Sequence, residues 1–188
     1  MTKECDNASV GVLIRRPYAS PGGDTHEYLV FNRRTAPAGI APCAGHVFDD
    51  HEDYPSAACA EVREELGLTV TSLTEVTGGW RGNRCRRAPG LAGVGHEWVV
   101  YLAETTGDLA PSARETSDAR WLTPSALLRE ACRSLRYALG KIPPADWQAR
   151  PGIEPVWVRW LVETGVIYMD ASALDVLESV IGREIPAS

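Results

Sequence analysis

Residues Gly45–Leu68 read GHVFDDHEDYPSAACAEVREELGL and carry the strongest local signal of the fold. From Pro55 onward this segment has the apolar spacing of a helix, because Ala58, Val62 and Leu66 recur at every fourth position. Gly67 follows the last of these residues and supplies a C-terminal stop signal. The sequence therefore predicts an amphipathic helix that begins near Pro55 and ends at Gly67.

Three carboxylates share one face of this predicted helix. Glu61, Glu64 and Glu65 lie at positions i, i+3 and i+4, where like charges repel one another weakly. A hard divalent cation such as Mg²⁺ would turn that repulsion into binding, since it takes carboxylate oxygens, water and substrate phosphates as ligands. Glu52 could reach the same ion if the preceding loop folds back. Taken alone, the pattern is also typical of a solvated acidic face.

The whole segment resembles the Nudix box, G-x5-E-x7-R-E-U-x-E-E-x-G-U, where U is a bulky aliphatic residue. Every position of Glu61–Leu68 agrees with that pattern. Two features depart from it. Six residues, not five, separate Gly45 from Glu52, and Ala60 stands where the family has arginine. Position 60 neighbours Glu64 on a helix, so the missing arginine would have oriented that carboxylate. The departure predicts an activity that is low, depends on another arginine, or is lost.

The resemblance implies an α/β fold, a Nudix-like α/β/α sandwich with a mixed β-sheet. It also implies Mg²⁺-dependent, or Mn²⁺-dependent, cleavage of the pyrophosphate bond of a nucleoside diphosphate linked to another moiety. On the same basis Glu61, Glu64 and Glu65 are the expected metal ligands, with Glu52 as an additional one. The expected general base is Glu64 or, from a later loop, Glu115. The alternative for Glu115 is an ordinary exposed loop carboxylate.

A basic loop follows in the region where relatives often carry substrate-recognition residues. The segment WRGNRCRRAPG holds four candidate phosphate-binding arginines, Arg81, Arg84, Arg86 and Arg87. Guanidinium groups suit phosphate oxygens, although a solvated basic loop is an equal alternative. Cys85 lies among them and could have a lowered pKa. No base pairs with it in the sequence, so a cysteine nucleophile is not expected.

Two other functions remain open. A non-catalytic Nudix module that binds a nucleotide is favoured by Ala60, whereas the three intact glutamates favour the enzyme. Gly45–His46 with the nearby Cys43 also resembles isopentenyl-diphosphate isomerase, a Nudix relative that isomerises its substrate. His96, beside a predicted strand, is interpreted as a partly buried structural residue and not as a ligand.

The rest of the chain divides into a predicted Nudix domain over residues 1–140 and a helical extension over 141–188 packed on it. Strands are predicted at 8–15, 27–33, 68–76, 97–103 and 120–122, and a helix at about 124–137. Residues 34–43 are interpreted as irregular and 141–152 as a connector, followed by helices at 154–163 and 171–181. Trp157 and Trp160 share one helical face and are interpreted as core, with a dimer contact or a base-stacking lid as alternatives.

The amino-acid composition argues against several classes of protein. The 188 residues carry a net charge of −6 and are 44% hydrophobic, which is typical of a folded globular domain and disfavours a nucleic-acid-coating protein. No signal peptide or membrane-spanning run is recognisable, so a cytoplasmic location is expected. The five cysteines are widely spaced and form no C-x-x-C pair, which predicts neither a disulfide framework nor a zinc site. The expected partner is a small molecule, with a homodimer as a further possibility.

Overall fold

The computed structural model describes residues 4–19, 25–85 and 87–181. Its elements in chain order are β1 (Ala8–Pro17), β2 (His26–Arg33), β3 (Ile40–Ala41), β4 (Cys43–His46), α1 (Tyr54–Leu66), β5 (Thr69–Arg81), β6 (His96–Thr106), β7 (Thr116–Leu122), α2 (Pro124–Ala138), α3 (Pro144–Ala149), α4 (Pro155–Glu163) and α5 (Ala171–Ile181). No helix in these ranges has both the length and the apolar character needed to cross a bilayer.

Strand β1 is the centre of a mixed seven-stranded sheet with the order β3-β2-β1-β6-β5. It runs parallel to β6, with Val10 opposite Val99, and antiparallel to both β4 and β2. Strand β4 lies beside the first half of β1 and places His46 opposite Ser9. Strand β7 completes the sheet by pairing with β2. This arrangement confirms the predicted mixed α/β sheet.

Side chains of β1 alternate between two cores, because successive residues of a strand point to opposite faces. Val10 and Val12 belong to a cluster that includes Ala58, Val62 and Leu66 of α1. Leu13 belongs to a second cluster, which includes Trp157 and Trp160 of α4 together with residues of α2 and α5. The sheet is therefore covered by α1 on one face and by α2, α4 and α5 on the other.

Helix α1 has a cap at each end. The Asp53 side chain accepts a hydrogen bond from the Ser56 amide at 2.8 Å, and Pro55 lies in the first turn. Gly67 adopts a left-handed conformation with φ of 71°, and its amide donates to the Arg63 carbonyl. These local signals explain why the helix is recognisable in the sequence to within one residue of its start.

The tryptophans of the C-terminal helices are core residues, as interpreted from the sequence. Trp157 and Trp160 are both fully buried, which makes the alternatives of a dimer contact and a lid wrong for them. Gly11 of β1 gives the Trp157 ring its space, because a Cβ at that position would lie 2.6 Å from Cη2.

Two segments are more ordered than predicted. Residues 34–43 were expected to be irregular, but Ile40 pairs with Asn32 of β2, and its amide donates to the Gly152 carbonyl. Residues 141–152 were expected to be a connector, but they contain α3, whose Trp147 is buried and stacks on Tyr137 at 4.4 Å between ring centroids. Both elements depend on contacts with other segments of the chain, which local composition does not reveal.

Candidate active site

An acidic cavity of about 400 Å³ lies where α1, β4 and the β5–β6 loop meet. Six carboxylate residues line it, contributed by the loop before α1, by α1 and by the loop before β7: Asp49, Asp50, Glu61, Glu64, Glu65 and Glu115. The three glutamates predicted to share a helix face therefore also share a cavity.

Gly45 makes room for the first of these glutamates. A Cβ built on Gly45 would lie 1.6 Å from Oε1 of Glu61, so the carboxylate occupies the space that any other residue would need. This close approach is a structural reason for glycine at the start of the box, and it holds Glu61 against the backbone of β4.

Glu65 is the buried member of the set. Its Oε2 accepts a hydrogen bond from the Ala44 amide at 3.3 Å. Burial raises the pKa of Glu65 to about 7, against the lowering effect of hydrogen bonds from Cys43 and Ala44. A divalent cation would stabilise the anionic form of this buried carboxylate. The oxygen donors around it are those that Mg²⁺ prefers. The residues present therefore fit the metal that the resemblance implies.

The other predicted carboxylates occupy different positions. Glu64 is exposed on α1 and lines the cavity, and Glu115 lines it from the loop before β7. Glu115 also accepts a hydrogen bond from Arg114 at 3.0 Å. Glu52 is exposed and lies outside the residues that line the cavity. The structure thus brings Glu115 to the box glutamates but does not bring Glu52 there.

The arginine position of the box is filled by a small buried residue. Ala60 is 6% exposed on α1, and Arg63 is exposed outside the cavity wall. Arg33 lines the cavity from β2, but its Nη1 donates to Oε2 of Glu154 at 2.8 Å. Glu64 consequently lacks the neighbouring arginine on its own helix that the resemblance would supply.

The predicted phosphate-binding arginines separate into two groups. Arg84 and Arg87 line the cavity, and Arg87 forms an ion pair with Asp49 of the preceding loop. Arg81 instead lies at the end of β5, where it pairs with Glu163 of α4 and covers the Trp160 ring at 4.5 Å. Arg86 lies outside the described residues.

The expectation that Cys85 has no base beside it is wrong. Its Sγ lies 3.3 Å from Nε2 of His46, which is 39 residues away in sequence. Burial opposes ionisation of this thiol, but the neighbouring imidazoles of His46 and His96 and the hydrogen bond from the Arg87 amide lower the pKa of Cys85 to about 5. His96 is buried, as interpreted, but it also takes part in this group.

Sequence reasoning missed a cluster of four side chains at one end of the cavity. The ligand atoms of Cys5, His46, Cys85 and His96 all lie within 4.8 Å of one another. The spacing argument against a zinc site does not apply to this group, because each residue comes from a different segment of the chain. No local motif signals the group, since it exists only once the sheet has formed.

Cys43 has a different environment from Cys85. It is buried beside Glu65 and lies outside the residues that line the cavity. Burial raises the pKa of the Cys43 thiol well above its usual range, and the charges of Glu65 and Glu61 raise it further. A neutral, enclosed thiol is a poor nucleophile.

A second cavity of about 930 Å³ adjoins the first. It lies between the β2–β3 loop and the C-terminal helices, and its walls include the apolar residues Tyr137, Ile142, Trp147, Val156 and Ile181. Both cavities share Arg33, Arg84 and Cys85 as wall residues. An acidic compartment is therefore continuous with a larger apolar one.

The chain belongs to the NUDIX domain family, whose model matches residues 8–141. That membership confirms the resemblance drawn from the box and supports the interpretation of the chain as a pyrophosphohydrolase enzyme. No curated protein sequence matches the chain.

Solved structures to which this chain is similar include several members of the family. The NUDIX domain of Shewanella oneidensis NrtR, complexed with ADP ribose, has 14% identity and a TM-score of 0.50, with 69% of this chain and 79% of that chain covered. A NUDIX hydrolase from Nitrosomonas europaea has 17% identity and a TM-score of 0.49 over 65% of this chain and 76% of that one. A Caenorhabditis elegans Ap4A hydrolase has 22% identity and a TM-score of 0.44 over 64% and 83%. At these identities the likeness concerns the fold alone.

Proposed function

We propose that the chain is a Mg²⁺-dependent hydrolase that cleaves the pyrophosphate bond of a nucleoside diphosphate linked to another moiety. The observation that carries this proposal is the convergence of Glu61, Glu64 and Glu65 in one cavity, with Gly45 giving Glu61 its place. A protein that only binds nucleotides has no need of three carboxylates directed at one space.

The metal would be held by Glu61, Glu64 and Glu65, with Mn²⁺ as a substitute for Mg²⁺. When bound, such an ion neutralises pyrophosphate charge and lowers the pKa of a coordinated water. Glu52 remains a candidate additional ligand only if its loop moves toward the cavity. These roles are supported by the oxygen chemistry of the donors and by the raised pKa of Glu65.

Two carboxylates are candidates for the general base. Glu64 is exposed to the cavity, so it can accept a proton from an attacking water while its helix stays fixed. Glu115 approaches from the loop before β7 and contributes to the raised pKa of Glu65, so the two carboxylates are within electrostatic reach. Because Glu64 is also a proposed metal ligand, Glu115→Gln is the variant that separates the roles: loss of turnover with the stabilisation by Mg²⁺ retained would make Glu115 the base.

The substrate's two ends would occupy the two cavities. Arg84 and Arg87 supply positive charge beside the carboxylates and suit phosphate oxygens. The adjoining apolar cavity has aromatic walls at Tyr137 and Trp147 and suits a nucleoside or the group linked to it. ADP ribose, which the NrtR NUDIX domain binds, belongs to this chemical class. Arg81 is held by α4, so it would act only after release from Glu163.

A non-catalytic nucleotide-binding module is the second candidate function. The specific observation in its favour is the buried Ala60 at the arginine position of the box. The isomerase-like alternative has less support, because Cys43 is enclosed and lies outside the cavity wall.

The experiment that tests the proposal is hydrolysis over a panel that includes ADP ribose, diadenosine tetraphosphate, nucleotide sugars and nucleoside triphosphates, with the nucleotide products separated by chromatography. The panel is run with Mg²⁺ or Mn²⁺ for the wild type, Glu64→Gln, Glu65→Gln and the control Glu104→Gln. Glu104 is exposed on β6, away from the cavity. We expect metal-dependent turnover of one substrate class that is lost in both cavity variants and kept in the control. Tight binding without turnover by the wild type would favour the binding module instead.

We also propose a cytoplasmic location, supported by the five free thiols, since thiols persist in reducing compartments. The net charge of −6 supports a small-molecule partner over nucleic acid.

A further inference from the structure

Four segments of the chain contribute one sulfur or nitrogen atom each to the cluster of Cys5, His46, Cys85 and His96. Cys5 precedes β1, His46 ends β4, Cys85 lies in the β5–β6 loop, and His96 begins β6. Cys5 and His96 are buried, and the other two are half-buried at the cavity wall. Two thiols and two imidazoles thus converge on one partly enclosed point.

Three sulfur–nitrogen distances within the cluster are close to those of a tetrahedral zinc site. Cys5 Sγ lies 3.4 Å from Nε2 of His46 and 3.1 Å from Nε2 of His96, and Cys85 Sγ lies 3.3 Å from Nε2 of His46. Zinc bound to sulfur at about 2.3 Å and to nitrogen at about 2.0 Å places those two ligands about 3.5 Å apart. These three pairs are therefore within a few tenths of an ångström of that separation, and all four ligand atoms lie within 4.8 Å of one another.

His96 is oriented by a neighbour outside the cluster. Its Nδ1 lies 2.7 Å from Oδ1 of the buried Asn83, which also accepts a hydrogen bond from the Trp98 indole at 3.4 Å. An indole N–H only donates, so the amide atom facing both rings is the oxygen. His96 therefore carries its proton on Nδ1 and presents the lone pair of Nε2 to the cluster. Metal-binding histidines are commonly held by such an outer hydrogen bond.

The two sulfurs share a second feature. The backbone amide two residues after each cysteine donates a hydrogen bond to its sulfur. The Asn7 amide donates to Cys5 Sγ at 3.4 Å, and the Arg87 amide donates to Cys85 Sγ at 3.3 Å. Hydrogen bonds from backbone amides stabilise negative charge on an acceptor. Each loop therefore supplies an amide donor to its sulfur, which in the case of Cys5 offsets only part of the burial that raises the pKa of its thiol to about 11.

We propose that Cys5, His46, Cys85 and His96 bind one Zn²⁺ ion as a structural site, separate from the carboxylates of the box. Thiolate and imidazole ligands favour zinc, whereas carboxylates favour Mg²⁺ or Mn²⁺. The two ends of the cavity would therefore bind different metals. Four protein ligands complete the usual coordination of structural zinc and leave no open position for substrate. The ion ties the segment before β1 and the β5–β6 loop to the sheet, and so fixes the cavity wall that carries Arg84 and Arg87.

The test is the metal content of protein purified under reducing conditions without added metal, measured by mass spectrometry for the wild type, Cys5→Ser, Cys85→Ser and the control Cys132→Ser. Cys132 is an exposed thiol on α2, outside the cluster. We expect one zinc per chain in the wild type and the control, and its loss in both cluster variants. Zinc that survives in the cluster variants but is lost in Glu65→Gln would place the ion at the box and overturn the proposal.

Cobalt substitution keeps the test valid if a cluster variant folds poorly. Wild-type protein is stripped with a chelator, checked by circular dichroism and titrated with Co²⁺. We expect the visible bands of a tetrahedral site, a thiolate-to-cobalt charge-transfer band, and reversal of both by Zn²⁺ but not by Mg²⁺. A folded, reduced apo-protein that gives an octahedral spectrum without thiolate bands, or whose melting temperature is unchanged by Zn²⁺, would contradict the proposed ligands.

Discussion

At the scale of single residues, the glycine that opens the box has a defined steric role. Gly45→Ala would put a Cβ 1.6 Å from the present position of Glu61 Oε1, so the carboxylate would have to move. We expect the substitution to reduce metal-dependent turnover by at least tenfold, because small displacements of catalytic groups lower the reaction rate strongly. Steady-state kinetics over a range of Mg²⁺ concentrations would measure the loss.

Gly82→Ala is the matched control for this substitution. Gly82 lies in the neighbouring β5–β6 loop, and a Cβ there would come no closer than 3.9 Å to its nearest neighbour. We expect near wild-type kinetics for Gly82→Ala. Equal activity of Gly45→Ala and the wild type would mean that the position of Glu61 is unimportant for the reaction.

At the scale of elements, a buried ion pair joins β2 to the start of α4. The Glu154 side chain is 4% exposed and accepts a hydrogen bond from Arg33, which is 24% exposed. Arg33→Ala would leave a buried carboxylate without its cation, and we expect a loss of about 3 kcal/mol in the free energy of unfolding. Urea denaturation would measure it.

The exposed pair of Arg16 with Glu27 provides the comparison, since the Arg16 side chain is 51% exposed. Arg16 also lies over the Trp121 ring at 4.3 Å, so Arg16→Ala removes both contacts and should cost about 1 kcal/mol. Combining Arg33→Ala with Glu154→Gln should recover part of the stability lost in the single variant, because no buried charge is then left unpaired. An additive double variant would show that the pair is not coupled.

An element can be predicted from the sequence when the residues that determine it lie close together in the chain. Helix α1 carries its own caps, apolar stripe and carboxylates within 24 residues of contiguous sequence, Gly45–Leu68, so it and the acidic site can be read locally. Strand β3 and helix α3 depend on contacts outside their own segments: Ile40 of β3 bonds to Gly152, 112 residues away, and Trp147 of α3 stacks on Tyr137 of the preceding helix. The Cys–His cluster is the extreme case, since its residues are up to 91 positions apart.

At the scale of the whole molecule, stability should depend on pH through Glu65. The folded pKa of about 7 lies above the ordinary value of 4.5, so the folded protein holds this proton more tightly than the unfolded chain. The stabilisation from the bound proton is fully present below about pH 4.5 and is lost as the pH rises through about 7. A shift of this size corresponds to about 3 kcal/mol at most.

We therefore expect the Mg²⁺-free wild type to lose stability between about pH 5 and about pH 8 relative to Glu65→Gln, which cannot titrate there. Urea midpoints of both proteins at several pH values would measure the difference. Millimolar Mg²⁺ should reduce the loss in the wild type, because a cation that binds the folded state stabilises it. Parallel pH profiles for the two proteins would contradict the buried, raised pKa of Glu65.

Metal-dependent attack of water on phosphorus is tested most directly by turnover of the best panel substrate in water enriched in the heavy oxygen isotope, with mass spectrometry of both products. Attack of water on phosphorus predicts that the label enters a phosphate group, that its entry requires Mg²⁺ or Mn²⁺, and that it is abolished in Glu64→Gln but not in Glu104→Gln. A folded wild-type protein that binds the nucleotides with metal present, yet places no label in any phosphate product, would contradict the account.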